Sequence, residues 1–261
     1  MKPLSACDLN SFLGTGFISR NVYFLKSAGS TQDVARTLVS AGAGEGTIVM
    51  AQTQTGGRGK RGAGWASPEG GLWMSLVLCP VQNSNPALLT LAGAAAAAAA
   101  IEKAAGLKAV IKWPNDCFVN GKKAAGIVGE KSGGAVILGI GVNLNVDIDA
   151  FPAGLRETAT SLSEEKGSKI DENVFLKEIL KGFETLYSDV SAGETAGLIS
   201  RLKELSGVPG RSVSGFSGGR KVEGTAVGFG EDGSLIIRLD SGLQVNFRAG
   251  ELTLEKEKIS R

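Results

Sequence analysis

Short apolar runs of strand length fill the first half of the chain, separated by glycine-rich turns and broken by two stretches of helical period. Residues 20–26 (RNVYFLK) read as a strand. Ser30-Thr31-Gln32-Asp33 then resembles a helix start, with Val34, Ala35, Leu38 and Val39 at helical spacing and Gly42 as the stop. Residues 46–52 (GTIVMAQ) and 72–78 (LWMSLVL) read as strands. Asn85-Pro86 opens an alanine-rich helix that runs to about Ala105, where Gly106 ends it. The run 94–100 alone would also fit a low-complexity linker, but Leu88, Leu89, Leu91 and Ile101 argue for a core helix whose small face packs closely on a sheet.

Residues 107–113 read as the next strand and enter KWPND (112–116). Cys117-Phe118-Val119, the pair Asn120-Gly121 and residues 122–130 form a β-hairpin pattern with a two-residue type I′ turn. That turn sets the register: Val119 faces Lys122 and Phe118 faces Lys123. With a side-chain period of two, Asp116 and Lys123 then share a face as diagonal neighbours, ~7–8 Å apart at the backbone and within reach of a lysine side chain. A solvated surface pair and a lined cleft both fit these residues. AVILGIGVNLN (135–145) begins apolar and turns polar at Asn143 and Asn145, which suits either a ligand edge or a satisfied turn. Asp171 caps a helix with Val174, Phe175, Ile179, Leu180, Phe183, Leu186 and Tyr187 on one stripe, and Leu198, Ile199, Leu202 and Leu205 mark another. After Gly207-Val208-Pro209-Gly210 the texture changes to short alternating strands, RSVSGFS, KVEGTAVGF, SLIIRL and LQVNFR, joined by Gly-Gly, Glu-Asp-Gly and Ser-Gly turns. This is the pattern of a small all-β, barrel-like unit starting near Ser206.

Composition removes several chemistries. With 261 residues the chain can bury a full core and carry a second small domain. The net charge of +2 does not point to a nucleic-acid partner; basic character is local. Cys7, Cys79 and Cys117 are scattered and odd in number, which argues against a disulfide framework or a thiolate metal site. LSAC (4–7) resembles a lipoprotein cleavage box, but no apolar run precedes it, and Glu102 and Lys103 close the alanine run short of a membrane span. The chain has no histidine, which excludes Ser-His and Cys-His nucleophiles and histidine metal sites. Catalysis must use Lys, Arg, Asp or backbone dipoles, and so favours charge stabilisation.

The basic glycine loop QTQTGGRGKRGAGW (52–65) looks built to hold an anion. Gly57, Gly59 and Gly62 formally spell a dinucleotide fingerprint, but Gly64, Pro68, Gly70 and Gly71 follow where a helix should open. The Walker pattern fails because neither Gly59-Lys60 nor Gly121-Lys122 is followed by Ser or Thr. The loop taken alone fits a solvated surface turn as well as a binding element.

GRGKRGAGW (57–65), KWPND (112–116), KKAAGIVGE (122–130) and GIGVNLN (139–145) resemble, in order and spacing, the motifs of the biotin protein ligases. Gly29-Ser30-Thr31-Gln32, Thr160-Ser161-Leu162 and the terminal barrel with Gly250-Glu251 extend the resemblance over nearly the whole chain. It implies an α+β fold: a mixed β-sheet catalytic domain with packed helices over 1–205, and a small C-terminal SH3-like β-barrel over 206–261. It also implies ATP, biotin and Mg2+, with biotin first activated as biotinyl-5′-adenylate and then passed to a lysine of a biotin carboxyl carrier protein domain of a biotin-dependent carboxylase. Some family members carry an N-terminal DNA-binding helix-turn-helix, for which no room remains ahead of the first strand. The single-function form is therefore expected, cytoplasmic, without DNA or membrane partners, as a monomer or homodimer.

Carried over by motif, Lys123, Arg58 and Asp116 are the expected catalytic residues. Ser30, Thr31, Gln32, Gln54, Gly57, Arg58 and Lys123 are expected at biotin. Arg58, Lys60, Arg61, Trp65, Lys112, Asn115 and Asn143 are expected at ATP or the adenylate; which residues ligate the metal is left open. The chain departs from the family at Lys60 and Ala63, where arginine is frequent. Lipoate ligases share the implied fold and a matching lysine, but their ligand site includes a histidine that this chain lacks. An RNA-binding module would use the loop as a basic arm and the barrel as a platform, yet aromatic residues make up only 6% of the chain.

Overall fold

The computed structural model describes residues 15–18, 21–80, 85–217, 220–248 and 252–254. Arg20, Cys7 with its tetrapeptide, the Gly218-Gly219 turn and Gly250-Glu251 lie outside them. β1 (Asn21–Ala28), β2 (Thr47–Gln54), β3 (Leu72–Leu78), β4 (Val110–Lys112), β5 (Asp116–Val119), β6 (Lys122–Ser132) and β7 (Ala135–Val142) form one sheet in the order β1-β2-β3-β7-β6-β5-β4. β1 and β2 run parallel and the other neighbours are antiparallel, so the sheet is mixed.

Helices cover both faces, which is why the central strands read as nearly continuous apolar runs. α1 (Thr31–Ser40) lies on one face, where Ala35 packs with Val49, Val77, Ala135 and Ile137. α2 (Pro86–Ala100), α3 (Leu162–Lys166), α4 (Glu172–Ser191) and α5 (Ala196–Leu205) belong to the main core on the opposite side. In β7 the alternation is visible residue by residue. Val136, Leu138, Ile140 and Val142 enter the main core, while Ile137 meets α1 and Gly139 and Gly141 leave the α1 face bare.

Each helix end follows from its sequence. Asn85 Oδ1 accepts from Ala87 N at 3.1 Å at the start of α2, and Asp171 Oδ1 accepts from Asn173 N and Val174 N at the start of α4. α2 continues through one π-turn, Ile101–Ala105, before Gly106 turns left-handed at φ 71. The apolar run therefore does not stop short as expected: Pro86–Ala105 is 20 residues, long and apolar enough to cross a membrane. Its burial in the core, 67% of the most apolar window, accounts for that composition. Glu102 and Lys103 do not break it, because Lys103 turns outward to pair with Glu178.

Two further expectations are corrected. β4 spans three residues because, among the described residues, its ladder is made with the four-residue β5, with one isolated bridge from Ile111 to Ser206 on its other side. Val174 is exposed, since the buried stripe of α4 runs through Phe175, Leu176, Ile179, Leu180, Phe183 and Tyr187, centred on the opposite side of the helix. Cys117 is a buried packing residue whose thiol burial pushes up to about 12.

β8 (Ser212–Ser217), β9 (Arg220–Phe229), β10 (Leu235–Arg238), β11 (Gln244–Phe247) and β12 (Leu252–Leu254) form an antiparallel sheet in the order β11-β10-β9-β8-β12. The fold is the expected α+β class with an SH3-like terminal unit; among the described residues its end strands β11 and β12 do not pair, so the barrel is open. Trp113 joins this sheet to the first one: its Nε1 donates to Gly233 O at 3.1 Å and its ring meets Phe247.

Gly46 opens β2 at φ 78, with a built Cβ overlapping the Phe17 carbonyl. Gly46→Ala should cost at least ~1–3 kcal/mol from the left-handed backbone alone. Chemical denaturation should show that loss, while the nearby Gly44→Ala, which meets open space, should stay within about 0.5 kcal/mol of wild type.

Candidate active site

The basic loop is a hairpin-like excursion between β2 and β3. Bridges Gln54↔Ser67 and Arg58↔Gly64 tie its two arms, and Trp65 N donates to Gly57 O and Gly59 N to Ala63 O. At its tip Lys60–Gly62 makes one 3-10 turn, with Arg61 and Gly62 at φ 56 and 77. The three glycines of the formal fingerprint thus serve a tight reversal, and no helix follows. Gly57 is needed for close approach: a side chain there would overlap Trp65 O and Ser67 Oγ.

The loop arches over the bare face of the sheet and encloses a cleft of about 270 Å³. One wall is neutral and polar. Ser30 holds the N-cap position of α1 without a capping side-chain bond, leaving its hydroxyl at the cleft. Thr31 donates its N–H to Gln54 Oε1 at 2.8 Å, and its hydroxyl reaches both Gln54 Oε1 and Ser75 Oγ. Gln54 Nε2 donates to Ser67 Oγ at 2.8 Å. Gln32 Oε1 is buried with no partner, an acceptor left for a ligand N–H.

The opposite wall is the β5–β6 hairpin. Val119↔Lys122 and Phe118↔Lys123 pair as the turn requires. Asn120 and Gly121 take the positive φ values, 48 and 79, of that turn. The ladder then shifts, giving Cys117↔Ala125 and Asp116↔Gly126 in place of an unbroken register. The bulge buries Ala124 and Ala125 together while Lys123 turns toward the cleft. Lys123 Nζ lies 2.8 Å from Asp116 Oδ1 and 4.9 Å from the Trp65 ring centroid. Its backbone is clamped between Thr158 O and Thr160 N. Asp116 Oδ1 also accepts from Asn115 Nδ2 at 2.9 Å.

Of the predicted residues, Ser30, Thr31, Gln32 and Gln54 line the neutral wall, and Arg58, Lys60, Arg61 and Trp65 the loop side. Lys112, Asn115, Asp116 and Lys123 line the hairpin side. Gly57 and Asn143 do not line the cleft. Asn143 stands behind Lys123, where its Nδ2 donates to Thr160 O at 2.8 Å and its Oδ1 is buried without a partner. Asn145 satisfies a turn through two bonds to Ile170.

Sequence reasoning missed the floor. Trp65 rests on Gly126 and Gly141, and a Cβ at either would come within 2.8 Å of the indole; Gln32 rests on Gly139 in the same way. Gly139 and Gly141 are two apart on one strand and so share a face, which is a signal visible in the sequence.

The lining carries five cationic side chains, Arg58, Lys60, Arg61, Lys112 and Lys123, against one carboxylate, Asp116. Such a site favours a polyanion. Arg58 is held from outside the cleft by Asp33, whose carboxyl its guanidinium keeps below the usual range.

Residues 24–147 match the biotin/lipoate A/B protein ligase family and 210–253 the biotin protein ligase C-terminal domain. The chain is 36% identical over 254 residues to the bifunctional ligase/repressor BirA of Bacillus spizizenii, covering 94% of this chain and 78% of that one. The chain belongs to the biotin protein ligases. It is also 33% identical to the biotin–[acetyl-CoA-carboxylase] ligase of Paracoccus denitrificans, over 76% of this chain and 86% of that protein. The biotin protein ligase of Aquifex aeolicus, solved in complex with biotin and ATP, superposes with a TM-score of 0.81 at 29% identity, covering 91% of this chain and 99% of that one. These relatives do not favour the lipoate reading.

The glycine floor sets the room for ligand, so Gly141→Ala should lift the Trp65 indole and weaken biotin binding by roughly tenfold or more, the usual worth of one overpacked contact. Calorimetric titration with biotin checks this; unchanged affinity would remove the floor from the account.

Proposed function

We propose that both half-reactions of biotin attachment occur in this one cleft, with biotin against the Ser30–Gln32 wall and the nucleotide toward Lys112 and Asn115. The protein is an ATP-dependent ligase that activates biotin as biotinyl-5′-adenylate and transfers it to the carrier protein of acetyl-CoA carboxylase. The observation that carries the residue assignment is Lys123 Nζ, set between Trp65 and Asp116 in a cleft rich in cations.

In the first half-reaction a biotin carboxylate oxygen attacks the α-phosphorus of ATP, and the bond to the departing pyrophosphate breaks. Negative charge builds on the phosphoryl oxygens, where fixed cations are worth more than a nucleophilic side chain. Lys123 supplies a point charge there, and Arg58 a planar fork that can bridge two oxygens. Gln32 Oε1 accepts from the ureido ring, beside Ser30, Thr31 and Gln54. In the second half-reaction a carrier lysine amine attacks the acyl carbon, the bond to AMP breaks, and the amine loses a proton toward Asp116. The loop arching over the cleft shields the mixed anhydride from water.

The described residues contain no group of three or more acidic, cysteine or histidine side chains that could hold a metal, and Asp116 is already paired. Magnesium therefore fits this cleft as the ATP complex, carried on phosphate oxygens instead of in a protein cage. The same reading places the protein in the cytoplasm, as a monomer or homodimer that needs no DNA.

Pyrophosphate exchange should be driven by biotin and not by lipoate; lipoate-driven exchange would overturn the substrate. Lys123→Ala should slow single-turnover adenylation by roughly 10²–10³, a typical loss for one contact to developing charge. Asp116→Asn should slow transfer to the carrier more than adenylation; near wild-type adenylation in Lys123→Ala would void the role of Lys123, and near wild-type transfer in Asp116→Asn that of Asp116.

Lys60 generates a separate expectation. An ammonium is a strongly hydrated point charge, where guanidinium presents two parallel donors. Lys60→Arg should slow escape of preformed biotinyl-adenylate by roughly tenfold, the worth of one charge-assisted bond. Stray labelling of a lysine-rich bystander protein in the absence of carrier reads that escape; equal labelling would make Lys60 a solvated loop charge.

A further inference from the structure

The short segment that begins α1 does more than line the neutral wall. Ser30, Thr31 and Gln32 face the cleft, and the next residue, Asp33, lies outside its lining. Asp33 Oδ1 accepts from Arg58 Nη2 at 2.5 Å and from Arg36 Nη1 at 2.6 Å. Arg36 extends the chain outward, its Nη2 reaching Glu130 Oε2 on β6 at 2.9 Å. Two elements therefore brace the carboxylate: the body of α1 through Arg36, and β6 through Glu130.

Arg58 itself sits on a loop, where a long side chain has many rotamers to lose before it can grip an anion. The contact with Asp33 uses one nitrogen, Nη2, while the Arg58 side chain also lines the cleft. A guanidinium has five N–H donors in a rigid fork, so fixing one end aims the remainder. The Arg58 hydrogen bond also lowers the Asp33 pKa, which favours the charged carboxylate that holds it.

We propose that Asp33 is the positioning residue for Arg58: it holds one end of the guanidinium from outside the cleft so that the other end is presented, already oriented, to the carboxylate and phosphate of the activated biotin. This rests on the reading that Arg58 meets that anion. Asp33 touches no reacting atom and acts through Arg58 alone. It joins the two sides of the site through adjacent residues, so that Gln32 marks one end of the ligand and Asp33 sets the residue that marks the other.

The test is a double-mutant cycle in the full-length enzyme, reading escape of preformed biotinyl-adenylate with carrier withheld. Asp33→Ala should speed escape by roughly tenfold, and Asp33→Asn, which keeps an acceptor oxygen, by less. Both should leave the thermal midpoint within a few degrees, since Asp33 is exposed. Arg58→Ala should speed escape at least as much, and adding Asp33→Ala to it should change nothing further. A multiplicative effect in the double variant would overturn the inference alone, because Asp33 would then act on the Ser30–Gln32 wall or on folding. Wild-type escape and adenylation in Arg58→Ala would overturn the reading of the site and the inference with it.

Discussion

The cleft exists because three residues on one face of the sheet have no side chain. Gly126, Gly139 and Gly141 lie where neighbouring strand positions carry isoleucine, valine or leucine, and the space left above them is taken by Trp65 and Gln32. Everything in the site is placed relative to that floor. The indole lies on it, Lys123 lies against the indole, and the loop that brings both Trp65 and Arg58 is anchored across its base by the Arg58↔Gly64 and Gln54↔Ser67 bridges. The opposite face of the same strands is filled by Leu138, Ile140 and Ile127 against α2. One sheet is thus a packed wall on one side and a binding surface on the other.

Charge is distributed by the same geometry. Five cationic side chains converge on a volume of about 270 Å³, which like-charge repulsion would oppose without compensation. Compensation comes from single carboxylates set at the margins: Asp116 for Lys123, and Asp33 for Arg58. Neither acid removes its partner from the cleft. Each takes one donor and leaves others, so the site stays ready for an anion. In a protein without histidine this is how a phosphoryl-transfer site can work, by positioned charge and not by proton relay.

Neutral recognition and structural integrity are likewise joined at one place. The first turn of α1 has orphan N–H groups, as every helix start does. Here Gln54 takes the Thr31 N–H, and the Ser30 side chain makes no cap bond and lines the cleft. The terminal sheet reaches the same region through Trp113, which lines the cleft, donates to Gly233 and packs on Phe247.

Much of this was legible from local pattern. Strand and helix positions, the caps at Asn85 and Asp171, the type I′ turn and the Lys123–Asp116 encounter follow from periodicity and turn chemistry, which act over a few residues. Four motifs in order were enough to set the family. What the sequence could not reach depends on neighbours far along the chain. The bulge at Ala124, the rotation of the α4 stripe that exposes Val174, and the placement of Asn143 behind Lys123 are each set by partners that local pattern does not name. The Asp33–Arg58 pair spans 25 residues and arises because β1 and β2 run parallel, which brings the start of α1 beside the end of β2. Sequence by itself determined which segments would be regular and which chemistry was available. Tertiary structure alone decided which face of each strand carries the site, because a period of two puts every other residue on a face without saying which face the helices will cover.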